Sequence, residues 1–298
     1  MATNTSSSPL EQLSTLMAEA VAVASRSVVA VHAGRARSSG FAWRAGLVVT
    51  CEEALAEDED VQVSLPGGAS APAVVVGRDA STDIALLRID DKHSAQLPPI
   101  ALDGATLVQA GAIVLSVGSL EGAAVAAAGA VALAGPAWRS LRGGDVDARI
   151  ELDLMLRRSA EGGIVLDAGG RAIGMAVFGP RQRVLVIPAA TIERVAALIE
   201  AHGRVPRGYL GLSLQPVRVA HAGVGAMVMD VADGSPAAAA GLHQGDVILS
   251  WNGQPVRSVR MLLRALGPAS VGSIITLSLK RAGEALELKL TVGERPAD

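Results

Sequence analysis

The residues best suited to chemistry are acidic side chains that stand at the ends of short apolar runs. Glu53 follows "AGLVVTCE", Asp83 precedes "IALLRID", and Glu161 precedes the Gly162-Gly163 pair in "LRRSAEGGIVLDAGGRAIGM". Neighbouring carboxyl groups can share a proton, act as general acid and base, or hold a hard cation. Any of these roles requires a fold that brings the three residues together.

Nitrogen and sulfur nucleophiles are scattered by comparison. The five histidines stand at positions 32, 93, 202, 221 and 243 and fall in no catalytic motif. We interpret His93 as part of a solvated loop. The single cysteine, Cys51, excludes an internal disulfide, and the negative charge of the two glutamates after it disfavours a reactive thiolate. We therefore interpret Cys51 as a packing residue.

Composition limits the class of protein. With 298 residues, half of them hydrophobic, and a net charge of −3, the chain predicts two or more packed domains and no nucleic-acid partner. No apolar run is long enough to predict a membrane span.

The N-terminus has no Lys or Arg before Arg26, and it therefore lacks the basic start of a secretory signal. This predicts a cytoplasmic protein, or a cell-envelope protein if the N-terminus has been trimmed.

The composition and the spacing of apolar residues along the chain predict three segments. Residues 1–26 form a polar tail, disordered over 1–9, and an amphipathic helix over 10–24. Residues 27–203 alternate short β-rich runs with Gly, Pro and Asp, which predicts an all-β body that ends in a helix stopped by Gly203. Residues 204–298 form a linker and a smaller module with strands at 210–217, 226–231, 246–251, 273–281 and 285–292 and helices near 236–240 and 258–266.

The C-terminal module resembles a PDZ domain through the ordered string "GSPAAAAGLHQGDVILSWNG". Such a domain binds an extended C-terminal peptide as an extra strand. The resemblance implies a carboxylate-binding loop at Tyr209, Leu210, Gly211 and Leu212, with Arg207 adding positive charge. It also implies an apolar pocket formed with Leu214, Met261, Leu262 and Ala265. The alternative is that Leu214 and Leu262 simply belong to the core of the module.

The order of a β-rich body followed by a PDZ-like module resembles the HtrA (Deg) family of serine proteases. The resemblance is carried by "SSGFAW", "AGLVVT", "STDIALLRID", "EGGIVLDAGGRAIGMAV" and "LVIPAATI". It implies a mainly β fold, with a two-barrel trypsin-like (chymotrypsin-fold) body over 27–203 and an α/β PDZ domain over 204–298.

The catalytic residues of that family are only partly matched. A serine protease needs a hydroxyl nucleophile, a histidine base and an orienting acid, together with N–H donors for the oxyanion. The acid is matched by Asp83. Glu53 stands at the histidine position and Glu161 at the serine position, and the loop that supports the oxyanion reads Ser159-Ala160.

These departures predict a protein that is not an enzyme. The leading hypothesis is a pseudoprotease that acts as a scaffold or adaptor and binds the C-termini of partner proteins through its PDZ domain. The alternative is an active serine-type endopeptidase that uses a displaced nucleophile or a site completed by a partner chain. We expect no cofactor and no metal ion.

A second alternative concerns the three carboxyl groups themselves. If the fold is retained, Glu53, Asp83 and Glu161 converge, and they could bind a cation or draw Arg157 or Arg158 inward. Otherwise the cleft has collapsed and the glutamates face solvent. Family resemblance also suggests a homotrimer, with the helix over 10–24 contributing to the contact.

Overall fold

A computed structural model describes residues 8–55, 60–105, 108–219 and 223–296. The predicted disorder over 1–9 falls mainly on residues outside these ranges. The chain divides into two compact units, Met1–Arg204 and Val205–Asp298. None of the helices in the described ranges is both long enough and apolar enough to cross a membrane.

The first unit begins with a helix and a closed barrel. The helix α1 (Pro9–Ser25) starts with a capping box, in which the Glu11 N–H donates to Ser8 Oγ and the Ser8 N–H donates to the Glu11 carboxylate. The barrel strands are β1 (Val28–Ala33), β2 (Ala36–Arg44), β3 (Leu47–Thr50), β4 (Val61–Ser64), β5 (Ser70–Asp79) and β6 (Ile84–Ile89). They close in the order β1-β2-β3-β6-β5-β4 around a core of Val, Leu, Ile and Ala.

A second barrel follows the short helix α2 (Asp91–Ser94). The strands of this region are β7 (Ile113–Leu120), β8 (Ala123–Gly135), β9 (Trp138–Arg139), β10 (Asp145–Val146), β11 (Arg149–Asp153), β12 (Ile164–Asp167), β13 (Ala172–Phe178) and β14 (Val184–Pro188). The barrel closes in the order β11-β14-β13-β12-β7-β8, while β9 and β10 form a separate hairpin. Strand β7 packs against β1 and β2, so the two barrels meet along it.

The helix α3 (Ala189–His202) completes the first unit. It buries Ile192, Val195 and Ile199 against both barrels and ends at Gly203, whose φ of 72° only glycine adopts easily. The predicted helix and its stop are confirmed. The predicted fold class is also confirmed, because two six-stranded barrels are the architecture of a trypsin-like body.

The second unit is a small sheet with two short helices. Its elements are β15 (Gly208–Tyr209), β16 (Leu212–Val219), β17 (Gly223–Val231), α4 (Pro236–Ala239), β18 (Val247–Trp251), β19 (Gln254–Pro255), α5 (Val259–Ala265), β20 (Ile274–Arg281), β21 (Glu284–Thr291) and β22 (Gly293–Glu294). The sheet order is β16-β17-β18-β20-β21, with β19 beside β18 and β15 paired with β22. The predicted strand over 210–217 starts only at Leu212, because Gly211 turns the chain with a φ of 76°.

Candidate functional site

Asp83 is held in a sharp turn between β5 and β6. It has a φ of 58°, an unusual conformation for a residue with a side chain. The turn is stabilised by Asp79, whose carboxylate accepts hydrogen bonds of 2.7 Å from both Ser81 Oγ and Thr82 Oγ1. Asp83 Oδ1 accepts a 2.8 Å hydrogen bond from the Glu53 N–H, so the side chain of Asp83 contacts the backbone at Glu53.

The carboxyl group of Asp83 holds its proton unusually firmly. Burial, together with repulsion from Glu53 and Glu161, raises the pKa of Asp83 to about 7, although the hydrogen bond from the Glu53 N–H acts in the opposite direction. A carboxyl with such a pKa is present as both acid and carboxylate near neutral pH. The charges of Glu53 and Glu161 thus both act on the ionisation of Asp83.

Glu161 stands at the end of a tight turn. Residues Arg158–Ala160 form a single 3₁₀ turn, and the Glu161 N–H donates to the Arg158 carbonyl at 3.2 Å. That N–H is therefore engaged within the loop instead of facing a substrate oxygen. The Glu161 carboxylate accepts a 3.1 Å hydrogen bond from the Phe178 N–H, at the end of β13.

The ionisation of Glu161 is also perturbed. Burial is the main cause that raises the pKa of this carboxyl, and repulsion from Glu53 adds to it. The hydrogen bond from Phe178 and the charge of Arg158 act in the opposite direction. The carboxyl groups of Glu161 and Asp83 therefore both have pKa values above the ordinary range.

The loop that carries Ser159, Ala160 and Glu161 is fixed from β2 by Ser39. Ser39 Oγ donates to the Ser159 carbonyl at 2.6 Å, and the Ser39 N–H donates to the Glu161 carbonyl at 2.7 Å. The Ser119 N–H, on β7, donates back to Ser39 Oγ at 2.8 Å. One fully buried serine thus ties both barrels to the site loop. No local sequence signal marks this role of Ser39, because these partners lie 80 to 122 positions away in the chain.

Arg142 brings positive charge to Glu52 and Glu53. It lies in the loop of the β9–β10 hairpin and reaches Glu53 at 3.1 Å and Glu52 at 3.7 Å. The hairpin loop is anchored by Ser140, whose Oγ donates to the Ser81 carbonyl at 2.5 Å. Arg142 thus lies against the first barrel, beside the turn that holds Asp83.

The expectation that Arg157 or Arg158 would be drawn to the acids is corrected in part. Arg157 caps the 3₁₀ turn with its backbone and is exposed. The Arg158 guanidinium lies 6.0 Å from the centre of the Phe178 ring, and its charge lowers the pKa of Glu161. Arg142, and not Arg157 or Arg158, pairs with Glu53, because the loop of the β9–β10 hairpin places its side chain there.

The remaining candidate groups have structural partners. Cys51 is fully buried, and burial followed by the charge of Asp83 raises the pKa of its thiol well above the usual range, as its interpretation as a packing residue requires. His93 lies in the short helix α2, instead of the expected loop, and pairs with the N-cap residue Asp90 at 2.5 Å, while His32 lies 2.8 Å from Ser64 Oγ. His221 falls outside the described residues. Within the described ranges, no three His, Cys, Asp or Glu side chains are grouped to hold a metal ion.

A second candidate site lies at the edge of the sheet in the C-terminal unit. The carbonyls of Leu210 and Gly211 accept hydrogen bonds from Ala237 at 3.0 Å and Ala232 at 2.8 Å. Among the described residues, the N–H groups of Leu210 and Gly211 donate to no protein acceptor. The carbonyls thus anchor the loop while two adjacent N–H groups remain available, which is the arrangement that receives a carboxylate.

Strand β16 offers the surface next to this loop. It is the edge strand of its sheet, and α5 packs beside it. The partly exposed side chains are Arg207, Tyr209, Leu212, Leu214, Met261 and Ala265. Leu210 and Leu262 are 4% and 1% exposed and belong to the hydrophobic core, so their predicted part in the pocket is limited to the backbone of Leu210 and to support from Leu262.

The comparisons with known proteins agree with both halves of this description. Residues 38–175 match the family described as a trypsin-like peptidase domain, and residues 208–292 match the PDZ domain family. Among solved structures, a serine endoprotease from Yersinia pestis superposes with a TM-score of 0.73 at 26% identity, over 94% of this chain and 98% of that one. The HtrA-type protease AlgW with a tripeptide gives a TM-score of 0.69 at 26% identity, over 95% and 98%.

Curated relatives point the same way. A protein of Rhizobium meliloti (strain 1021) and one of Chlamydia pneumoniae, both named probable periplasmic serine endoprotease DegP-like, are each 30% identical to this chain. The matches cover 89% and 85% of this chain and 54% of each relative. This chain thus spans about half the length of the curated relatives. Its two matched regions, a trypsin-like peptidase domain and a PDZ domain, are similar in order and kind to proteins of the HtrA/DegP family.

Two predictions are contradicted by these comparisons. The prediction that the protein is not an enzyme is wrong, because the relatives that match most of the chain are named serine endoproteases. The names of the relatives agree better with the alternative, a serine-type endopeptidase. The prediction of a cytoplasmic location is wrong against relatives that are named periplasmic. It rested only on the residues before Arg26.

Proposed function

We propose that this protein is a polypeptide-binding member of the HtrA/DegP family that captures the C-termini of other proteins through its PDZ domain. The observation that carries the proposal is the pair of available N–H groups at Leu210 and Gly211 beside the edge strand β16. A terminal carboxylate can accept from both groups while the peptide pairs with β16. The AlgW structure with a tripeptide supports peptide binding in a similar protein.

The test is a titration of the full chain with a fluorescent peptide that ends in an apolar residue. We expect saturable binding at micromolar concentration, because short peptides that add one strand bind with modest affinity. The same peptide with an amidated C-terminus should bind at least about tenfold more weakly, since it loses a charge-assisted hydrogen bond. Equal binding of the two peptides would refute C-terminal capture.

The second candidate function is endopeptidase activity, which the names of the relatives support. Glu53 and Glu161 occupy two of the three triad positions, so the reaction would use a displaced nucleophile, a site completed by a partner chain, or the carboxyl groups themselves. The specific observation in favour of the carboxyl route is the Asp83 and Glu161 pair with raised pKa values. A carboxyl that is partly protonated near neutral pH can act as a general acid, and its carboxylate form can act as a general base toward water.

Cleavage of unfolded casein, followed by mass spectrometry, tests this candidate. Loss of cleavage in Glu161→Gln, with no inhibition by a fluorophosphonate, would support the carboxyl route. Inhibition by the fluorophosphonate would indicate a displaced serine. Intact casein after prolonged incubation, with and without a C-terminal peptide, would contradict the candidate.

We propose a periplasmic or cell-envelope location, as the names of the relatives suggest, and a homotrimer as the working assembly. The exposed apolar residues of α1 support an oligomer, since Leu10 and Leu16 are 75% and 62% exposed. Light scattering after gel filtration should give a trimeric mass for the natural chain and a lower mass for Leu10→Ser/Leu16→Ser. The same change at the exposed Val74 is the control, and an unchanged mass in the double variant would remove α1 from the contact.

A further inference from the structure

The geometry of the C-terminal unit fixes the direction in which a captured peptide runs. The Gly208 N–H donates to the Leu266 carbonyl at 3.1 Å, so the C-terminal end of α5 lies beside the carboxylate-binding loop. Ala265 is therefore near the last residue of the peptide and Met261 is one turn further upstream. A peptide antiparallel to β16 runs from the loop toward Val219, at the far end of the strand.

The upstream part of this path carries positive charge. Arg257 and Arg260 stand at the start of α5, and Arg218 stands near the far end of β16. All three side chains are exposed, and among the described residues none of them pairs with a carboxylate. Arg218 is six residues beyond Leu212, about 20 Å along an extended strand, and shares the strand face of Leu214.

The negative charges of the unit are mostly placed elsewhere. Neither β16 nor α5 contains an acidic residue. Asp246 is buried and paired with Arg281 at 2.7 Å, while Glu284 and Glu287 lie on β21, at the opposite edge of the sheet. Asp230 stands opposite Ser213, at the carboxylate end of the path instead of the upstream end.

We propose that the PDZ domain selects C-terminal peptides that are acidic upstream of an apolar last residue. The inference rests on the proposed capture of C-termini and adds the charge of the partner. Carboxylates at the fourth to seventh residues from the end would lie along Arg257, Arg260 and Arg218. Apolar contact with Leu212, Leu214 and Met261 then binds the last residues, and the arginines discriminate between peptides by charge.

The test uses two peptides that share an apolar C-terminal residue and differ only in a run of glutamates or lysines upstream. Fluorescence anisotropy with the full chain, at about 50 mM salt, should give an affinity at least roughly tenfold higher for the acidic peptide. The difference should shrink toward equality at about 500 mM salt, because exposed charges are screened. The double variant Arg257→Glu/Arg260→Glu should bind the basic peptide at least as well as the acidic one.

The matched control is Lys280→Glu/Lys289→Glu, which makes the same change in net charge at the opposite side of the sheet. It should keep the preference for the acidic peptide. Equal affinities in the natural chain, or an equal loss of preference in both double variants, would overturn the inference while leaving C-terminal capture intact. Absence of binding by both peptides would overturn the proposed capture together with the inference.

Discussion

At the scale of single residues, the central feature is a carboxyl group that ionises only near neutral pH. The pKa of Asp83 rises to about 7 because the side chain is largely buried and faces Glu53 and Glu161. In the unfolded chain an aspartate ionises near its ordinary pKa of about 4. Between these values the folded chain binds more protons than the unfolded chain, so its stability falls as the pH rises through this window.

Replacement of Asp83 by Asn should therefore flatten the stability profile between about pH 4 and pH 7. The natural chain is expected to lose roughly 2–4 kcal/mol of free energy of unfolding over this range from Asp83 alone. Urea unfolding of the trypsin-like domain at several pH values measures it. The variant should be less pH-dependent, and most clearly stabilised relative to the natural chain above pH 7. The exposed Asp91→Asn serves as the control, and parallel profiles for all three proteins would contradict the pKa assignment.

The adjacent serines of β2 provide a second comparison of residues. Both side chains are buried, but Ser39 Oγ donates to Ser159 and accepts from Ser119, whereas Ser38 Oγ has no hydrogen-bond partner among the described residues. Ser39→Ala should lower the free energy of unfolding by about 2–3 kcal/mol, because it leaves buried partners unpaired. Ser38→Ala should be neutral or slightly stabilising. Equal effects in denaturant unfolding would remove Ser39 as the support of the site loop.

At the scale of elements, the conformation of the loop over residues 209–212, proposed to receive a peptide carboxylate, depends on Gly211. Its φ of 76° favours glycine, and an added Cβ would overlap Ser235, with Ser235 Oγ at 2.6 Å. Gly241 has the same φ but open space around it. Substitution of Gly241 by Ala therefore measures the free energy lost to the unfavourable φ alone, whereas substitution of Gly211 by Ala adds the steric clash with Ser235.

We expect Gly211→Ala to lower stability by roughly 1–3 kcal/mol more than Gly241→Ala, because only the first substitution forces the loop away from α4. It should also weaken binding of a C-terminal peptide, since displacement of the loop moves the N–H groups of Leu210 and Gly211. Thermal unfolding and peptide titration measure the two effects. Equal stability of the variants together with natural peptide affinity would contradict this account of the loop.

The sequence predicts elements better than contacts between them. Alternating apolar runs bounded by Gly and Pro predict the strands, and Gly203 predicts the end of α3, because these signals are local. Two contacts depend on the way the two barrels pack together: the ion pair between Arg142 and Glu53, and the hydrogen bonds from Ser39 to the site loop. No spacing in the chain reveals such contacts, so the sequence points to Arg157 and Arg158, the neighbours of Glu161, and not to Arg142.

At the scale of the whole molecule, each unit has its own hydrophobic core. The core of the C-terminal unit includes Leu210, Trp251, Leu262 and Leu277 and draws on residues of that unit alone. The residues at positions 53 and 161 bear on one reaction mechanism only, that of a Ser-His-Asp triad, and the residues before Arg26 bear on one kind of export signal only. The predictions that the protein is not an enzyme and that it is cytoplasmic were built on these two local observations. Both are contradicted by the relatives that are named periplasmic serine endoproteases.

The most direct test of C-terminal capture is the affinity of the full chain for one apolar-ended peptide, measured with a free and with an amidated C-terminus. Our account predicts saturable binding of the free peptide and at least about tenfold weaker binding of the amide, because only the free carboxylate carries the charge that the N–H groups of Leu210 and Gly211 receive. Equal affinities, or no saturation with either peptide, would contradict the account.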